Sequence, residues 1–435
     1  MRRGVARARR FPAHAALRLL SAGGNGRVKS SSDITLLFTT RILRIFAYGF
    51  VSVTLALYLH VLGFGERTVG LLFSLALFGD IVTSLWITTS ADRIGRRRML
   101  LLGAGLIILA GGVLSSTSSL PLIAFAAFIG VVSPNGSEIG PFISIEQSAL
   151  SQIVGDSRRT RIFAWYNLAG SFAAALGALA GGLLVHGLQG AGCGELTSYR
   201  AVLVIYAGLG GVLGLFFTRL SPSVEAPSRA TPTSMGQRFG LHRSRRTVFR
   251  LSGLFALDAF GGGFVIQGLL AYWFHLRFGV EPAALGGIFF GANLLAGVSA
   301  LLADRIASRI GLIRTMVFTH VPSNVLLMLV PLMPSLPLAA GLLLLRSSIS
   351  QMDVPARQSY TMAVVDPDER SAASGVTTIA RSAGALVSPT LSGALLAVPA
   401  LTSAPFLVAG ALKIIYDLLL YRGFVGHRPP EERDL

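Results

Sequence analysis

The chain has 435 residues, 52% of them hydrophobic and only 13% charged, with a formal net charge of +18. Soluble domains carry roughly 25% charged residues, so this composition and a mean hydropathy of +0.65 exclude a water-soluble globular protein and place the chain in a bilayer. The positive charge excludes no membrane class, and its distribution marks topology rather than nucleic-acid binding.

In chain order, Met1 to Lys29 comes first, with eight basic residues and no acidic one. It reads as a basic tail held at an anionic leaflet. The alternative is an organelle transit peptide over residues 1–30, so a plasma membrane is favoured and an organellar membrane follows if that segment is removed. Twelve apolar spans then follow, near residues 35–60, 68–90, 99–118, 121–150, 161–186, 200–218, 249–275, 282–302, 312–333, 337–362, 373–397 and 404–421. Each approaches the ~20 helical residues that cross about 30 Å of hydrocarbon. Ser221 to Arg246 is rich in Ser, Pro, Thr and Arg and reads as a linker. The expected organisation is a tail 1–33, a six-helix half 34–218, a linker 219–248, a second six-helix half 249–421 and a C-terminal tail 422–435. Of 38 Lys and Arg residues, 29 lie in the tails and in alternate loops, whereas the opposite loops hold only Arg67, Arg200 and Arg277. That asymmetry predicts both termini in the cytoplasm.

Ionisable side chains inside a span cost at least ~2.5–3.5 kcal/mol and are paired or functional. Arg41 and Arg44 in span 1 are three apart and share a helix face. They can pair with Glu146 of span 4 as an inner gate, snorkel to the surface, or read an anion through their fork geometry. Span 4 is broken by Ser133-Pro134-Asn135-Gly136-Ser137-Glu138-Ile139-Gly140-Pro141, two prolines and two glycines around an acid. Irregular backbone at that depth is tolerated only in protein or against water, and an interrupted span points to a transport site. Span 7 holds Asp258, and span 10 holds Arg346, Asp353 and Arg357, the last two at i, i+4. Glu138 and Arg346 are expected to approach each other. Glu138 is the first candidate for carrying a proton, with a permanent Glu138–Arg346 salt bridge and direct substrate binding as the alternatives. Arg381 lies in span 11, and Lys413 and Asp417 in span 12 form another i, i+4 pair read as structural.

The chain also repeats itself. Ala91-Asp92-Arg93-Ile94-Gly95-Arg96-Arg97-Arg98 closes span 2, and Ala303-Asp304-Arg305-Ile306 closes span 8, 212 positions later. Gln147-Ser148 recurs as Gln358-Ser359, and Gly49-Phe50-Val51 as Gly263-Phe264-Val265. By the offset of 211 that relates Gln147 to Gln358, Arg357 takes the place of Glu146, an exchange of sign that suits a bridge across the two halves.

The Asp92-Arg93-Ile94-Gly95-Arg96-Arg97 run is similar to motif A of the major facilitator superfamily, with Thr88 in place of that motif's leading glycine. With two six-helix halves and a basic central loop, residues 34–425 resemble that superfamily throughout, and motif A resembles its drug/proton-antiporter branch. Span 5, from Gly170 to Gly182, lacks the proline of the antiporter motif, so export is a leaning only. The resemblance implies an all-α integral membrane fold of twelve transmembrane helices in two pseudo-symmetric halves. It also implies that spans 1, 4, 7 and 10 line a central pathway and that the chain acts as a monomer. The expected function is secondary active transport of a small organic solute by alternating access, coupled to protons. Its partners are membrane lipid, the solute and protons, not nucleic acid. The pathway residues expected are Glu138, Arg346, Arg41, Arg44, Asp258, Asp353, Arg357 and Glu146. The conformational gate comprises Asp92, Arg93, Gly95, Arg96 and Arg97, with Asp304 and Arg305 as its repeat. The resemblance implies that Asp92 faces the N-terminal end of span 11, a contact made only while the cytoplasmic side is closed. An anion carrier using the arginines and a non-transporting sensor on the same fold are the alternatives. An enzyme is not expected: the seven histidines are scattered, Cys193 is the single cysteine, and neither a metal cluster nor a nucleotide loop is visible. No cofactor is expected.

Overall fold

The computed structural model describes residues 25–136, 142–154, 156–225, 241–366 and 369–426. Every regular element among them is a helix, as hydrocarbon requires, since backbone N–H and C=O groups there must bond within the chain. Glu138 and the linker core 226–240 lie outside the described residues.

Seven spans are single helices: Glu66–Ile94, Arg96–Ser116, Asp156–Gly190, Glu195–Thr218, Pro282–Ile310, Leu312–Leu329 and Ala404–Phe424. They are spans 2, 3, 5, 6, 8, 9 and 12. The other five are built from two pieces. Span 1 is Asn25–Ser52 and Leu55–Val61, and span 4 is Leu120–Ile129 and Phe142–Ile153. Span 7 is Arg245–Gly263 and Gln267–Phe278, span 10 is Leu336–Ser347 and Asp353–Ala363, and span 11 is Arg370–Ala385 and Ser388–Leu396. Among the described residues, nine segments are long and apolar enough to cross a membrane, and the pieces of spans 4 and 10 are too short alone. Twelve crossings in two halves result, as expected, with span 1 beginning earlier than hydropathy alone places it.

Structural equivalence between the halves corrects the sequence repeat. A Cβ on Gly49 would sit 2.3 Å from the carbonyl oxygen of Ala174, and one on Gly263 would sit 2.8 Å from that of Ala385. These matched contacts set an offset of 214 for spans 1 and 7 and 211 for spans 5 and 11. The second pieces of spans 4 and 10 begin at Phe142 and Asp353, again 211 apart. Spans 2 and 8 are both 29 residues long and end at Gly95 and Gly311, which turn the chain at φ +113° and +86°. Only glycine adopts such angles readily. The offset there is therefore 216, so Asp304-Arg305 stands one helical turn before the site of Asp92-Arg93. The echoed letters share a helix face but not a place, and both Asp304 and Arg305 are exposed.

The linker is fastened to each half by a carboxylate. Glu225 accepts from the backbone N–H groups of Arg96 (2.6 Å) and Arg97 (3.2 Å), capping the positive N-terminal end of span 3. Glu369 accepts from the N–H groups of His242, Arg243 (2.8 Å) and Ser244 (2.9 Å) just before span 7. Burial alone would raise the pKa of Glu369, but the His242, Ser244 and Arg243 amides reverse this and hold it at about 2, against an ordinary 4.5. Because the folded value lies below the unfolded one, the stabilisation is complete above pH 4.5 and is lost as pH falls toward 2. Amide exchange at His242 to Ser244 is therefore expected to stay slow down to pH 4.5. Glu369→Gln should accelerate it at neutral pH, and an unchanged rate would remove the cap.

Candidate functional site

Two buried ionic groups lie in the bundle, one in each half. In the N-terminal half, span 1 supplies Arg44 and span 4 supplies Glu146. Arg44 donates to both carboxylate oxygens, at 2.6 and 2.7 Å, and both side chains are fully buried. Tyr166 of span 5 and Thr40 (3.3 Å) also donate to this carboxylate, and the Phe142 ring lies 4.5 Å below the Arg44 guanidinium. Removing an ion pair from water is expensive, and only bidentate geometry with further donors compensates for it. This site has both. Arg41 does not join Glu146: its guanidinium lies 4.1 Å over the Tyr166 ring and donates to Asn167 at 3.2 Å.

In the C-terminal half, Asp258 of span 7 is the centre. It accepts from Lys413 of span 12 (2.6 Å), Arg381 of span 11 (3.1 Å) and Arg357 of span 10 (3.3 Å). Arg357 also donates to Asp353 at 2.9 Å, the local i, i+4 pair expected from the sequence. Lys413 and Asp417 do not pair with each other. Asp417 instead meets His320 of span 9 at 3.0 Å and accepts from Asn324 at 3.3 Å. His320 and Asn324 were not anticipated as site residues. Their signal was present, as two polar residues at i, i+4 in an apolar helix, with no letter to say which charge they serve.

With the corrected offsets, Arg44 corresponds to Asp258 and Glu146 to Arg357. Each half thus holds the same ion pair, between its first and fourth helices, with the polarity reversed. The sign exchange between Glu146 and Arg357 does not serve a bridge across the halves: each bonds inside its own half. The arginines Arg41, Arg44 and Arg357 are likewise engaged within their halves. For Arg346, the buried Nε has no hydrogen-bond partner among the described residues. Its expected partner Glu138 is outside those residues.

The halves meet near the breaks and toward the face opposite the basic loops. In the interrupted span 4, the Pro134 carbonyl oxygen accepts from Gly268 N–H of span 7 at 2.9 Å. The Gln267 side chain donates to Ser52 of span 1 at 2.7 Å and accepts from Asn293 of span 8 at 3.1 Å. Farther out, the Tyr272 hydroxyl lies 2.9 Å from His60 and donates to Glu66 at 3.2 Å. Span 11 meets span 2 where Gly393 and Gly70 abut, and span 5 meets span 8 where Gly182 and Gly286 do. Near the basic loops the arrangement is looser. Asp92 is 58% exposed and pairs with Arg96 of its own half at 3.0 Å. Arg96 also holds Gln152 (3.0 Å) and the Val224 carbonyl (3.2 Å), Arg97 holds the Thr218 carbonyl, and Arg93 is exposed.

Known proteins show the same architecture. A bacterial homologue of the human lysosomal transporter Spinster superposes with a TM-score of 0.68 at 17% identity, over 93% of this chain and 96% of that one. A nucleoside transporter, NupG, gives 0.71 at 14% identity over 90% and 98%, and a D-xylose–proton symporter gives 0.69 at 14% over 92% and 98%. In sequence, an uncharacterized membrane protein of Saccharomyces cerevisiae, YJR124C, is 29% identical over 426 residues, covering 91% of this chain and 95% of its own. The sequence profile of the Major Facilitator Superfamily matches residues 37–381. Together with the repeated halves and the motif-A turn at Gly95, this match makes the chain a member of the Major Facilitator Superfamily, an integral membrane protein of transporter type.

Proposed function

We propose that this protein is a secondary active transporter that moves a small organic solute by alternating access, coupled to protons and directed toward export. The observation carrying this reading is the contrast between the faces: the halves are hydrogen-bonded across the seam at Ser52, Pro134, Gln267 and Tyr272, whereas Asp92 is undocked. Buried ion pairs confined to each half favour rocking of rigid halves, because the motion then breaks no buried salt bridge. In this reading the basic face is cytoplasmic, the chain works as a monomer, and docking of Asp92 on span 11 closes that face in the other state.

The test is solute-driven proton movement in liposomes holding the purified protein, with drugs, organic acids, sugars and amines as the panel. Wild type is expected to move protons with at least one compound class, and Glu138→Gln to lose the proton movement. Solute flux without protons would overturn the coupling. A failure of every compound would turn the reading to a sensor on the same fold. A second reading, transport of an anion, is favoured by the buried Arg346 Nε. It requires organic acids to be carried and Arg346→Gln to abolish that flux alone.

A further inference from the structure

In the cluster around Asp258 of the C-terminal half, Asp258, Asp353 and Asp417 oppose Arg357, Arg381 and Lys413, and His320 is a further titratable side chain bonded to Asp417. Asp417 and Tyr416 of span 12 and Asp258 of span 7 face it directly, and Lys413 of span 12, Arg381 of span 11 and Arg357 of span 10, itself paired with Asp353, are linked to it through Asp258. Tyr416 packs edge-on to the imidazole, with centroids 6.0 Å apart.

The hydrogen bonds assign the ring. An ionised carboxylate accepts only, so Asp417 at 3.0 Å makes Nδ1 the protonated nitrogen of the neutral imidazole. Nε2 then carries its lone pair toward Asp258, whose Oδ1 lies 3.9 Å away. Two electron-rich atoms facing each other in a buried site leave room for one proton between them. We propose that His320 is a second site, beside Glu138, where this transporter takes up and releases a proton, at Nε2, between Asp417 and Asp258. This rests on the proton-coupled reading above.

The step is balanced: on one face a hydronium O–H bond breaks as the Nε2–H bond forms, leaving water and imidazolium, and on the other face the Nε2–H bond breaks as hydronium re-forms. Its consequence falls on Asp258. A protonated Nε2 competes with Lys413, Arg357 and Arg381 for that carboxylate, and Arg381, at 35%, is the most exposed of the three. Weakening of Arg381–Asp258 loosens span 11 from span 7. Span 11 also carries Gly393, which closes the seam against span 2. The proton is thereby linked to the opening of the seam through helices 9 and 12, which do not themselves meet the opposite half at the breaks.

The proton itself is the probe, so no solute is needed. With Cys193→Ser and Ser52→Cys as background, a membrane-impermeant maleimide reports seam opening as a labelling rate, taken relative to that of free cysteine at each pH to remove the thiolate's own dependence, between about pH 5 and pH 8. The expected result is a rate that depends on pH, flattened in His320→Asn, which keeps a donor for Asp417. Arg381→Gln removes a positive charge that competes for Asp258, so its profile is expected to differ from that of wild type. If His320→Asn retains the wild-type profile, the inference is overturned while proton coupling through another group stands. If Arg381→Gln leaves the profile unmoved, the linkage through Asp258 is overturned even where His320→Asn fails to fold. A wild-type rate independent of pH overturns the inference outright. If liposomes also show no solute-driven proton flux, the coupled reading falls with it.

Discussion

Glu146→Gln is expected to be among the most damaging single substitutions in the protein, lowering its resistance to unfolding by about 3–5 kcal/mol. The variant withdraws the Glu146 carboxylate charge from the fully buried Arg44 guanidinium, while Thr40 and Tyr166 keep a polar group to bond. The cost therefore reports charge rather than lost packing. Its decisive companion is the pair Arg44→Asp with Glu146→Arg, which installs in the first half the polarity that Asp258 and Arg357 already show in the second. The double variant is expected to recover most of the loss, because the shared geometry accommodates either polarity. Thermal unfolding and the monodisperse fraction in detergent read both effects. A Glu146→Gln variant as stable as wild type would mean that Arg44 finds water or another acceptor, and that the buried pair is not what fastens span 1 to span 4.

Much of this architecture was legible in the letters. The apolar runs, the basic alternate loops and the Pro-Gly break around Asn135 follow from the physics of a bilayer, where hydration is absent and backbone bonding is obligatory. The irregular backbone of that break does bond outside its own helix, where the Pro134 carbonyl accepts from Gly268 of the opposite half. Pairing of the buried charges was less legible. Asp353 and Arg357 are neighbours on one helix and could be matched by spacing. Asp258, His320 and Asp417 come from three helices whose rotations no local pattern fixes. The repeat misled where it was most conspicuous. Asp304-Arg305 echoes Asp92-Arg93 at an offset of 212, but the glycines that turn the chain, Gly95 and Gly311, set 216. A one-turn slip retains a helix face and changes depth, so an amphipathic pattern cannot detect it. The same slippage hid the ion-pair symmetry, since Arg44 and Asp258 match at 214 and Glu146 and Arg357 at 211.

The seam itself gives the second large effect. Gly393→Val is expected to hold the protein open on the face opposite the basic loops and to abolish transport. A Cβ at Gly393 would stand 2.3 Å from the Glu66 carbonyl oxygen and 2.9 Å from the Gly70 Cα, both backbone atoms that cannot rotate away. Gly182→Val meets the same obstacle across the pseudo-twofold axis, 2.2 Å from the Pro282 carbonyl oxygen and 3.0 Å from the Gly286 Cα. Overpacking of this kind costs about 1–3 kcal/mol, enough to shift a two-state equilibrium roughly ten- to a hundredfold. Because the penalty applies only when the seam is shut, it shifts the balance between faces rather than unfolding the chain. Labelling of Ser52→Cys in the Cys193→Ser background, applied from the face opposite the basic loops, should accelerate in both glycine variants. Gly105→Val is the control, since nothing lies within 4 Å of a Cβ there. Equal labelling in all three would mean that the span 2–span 11 and span 5–span 8 contacts persist in both states. The halves would then have to move by bending at the breaks in spans 1, 4, 7 and 10 rather than by rocking as rigid bodies.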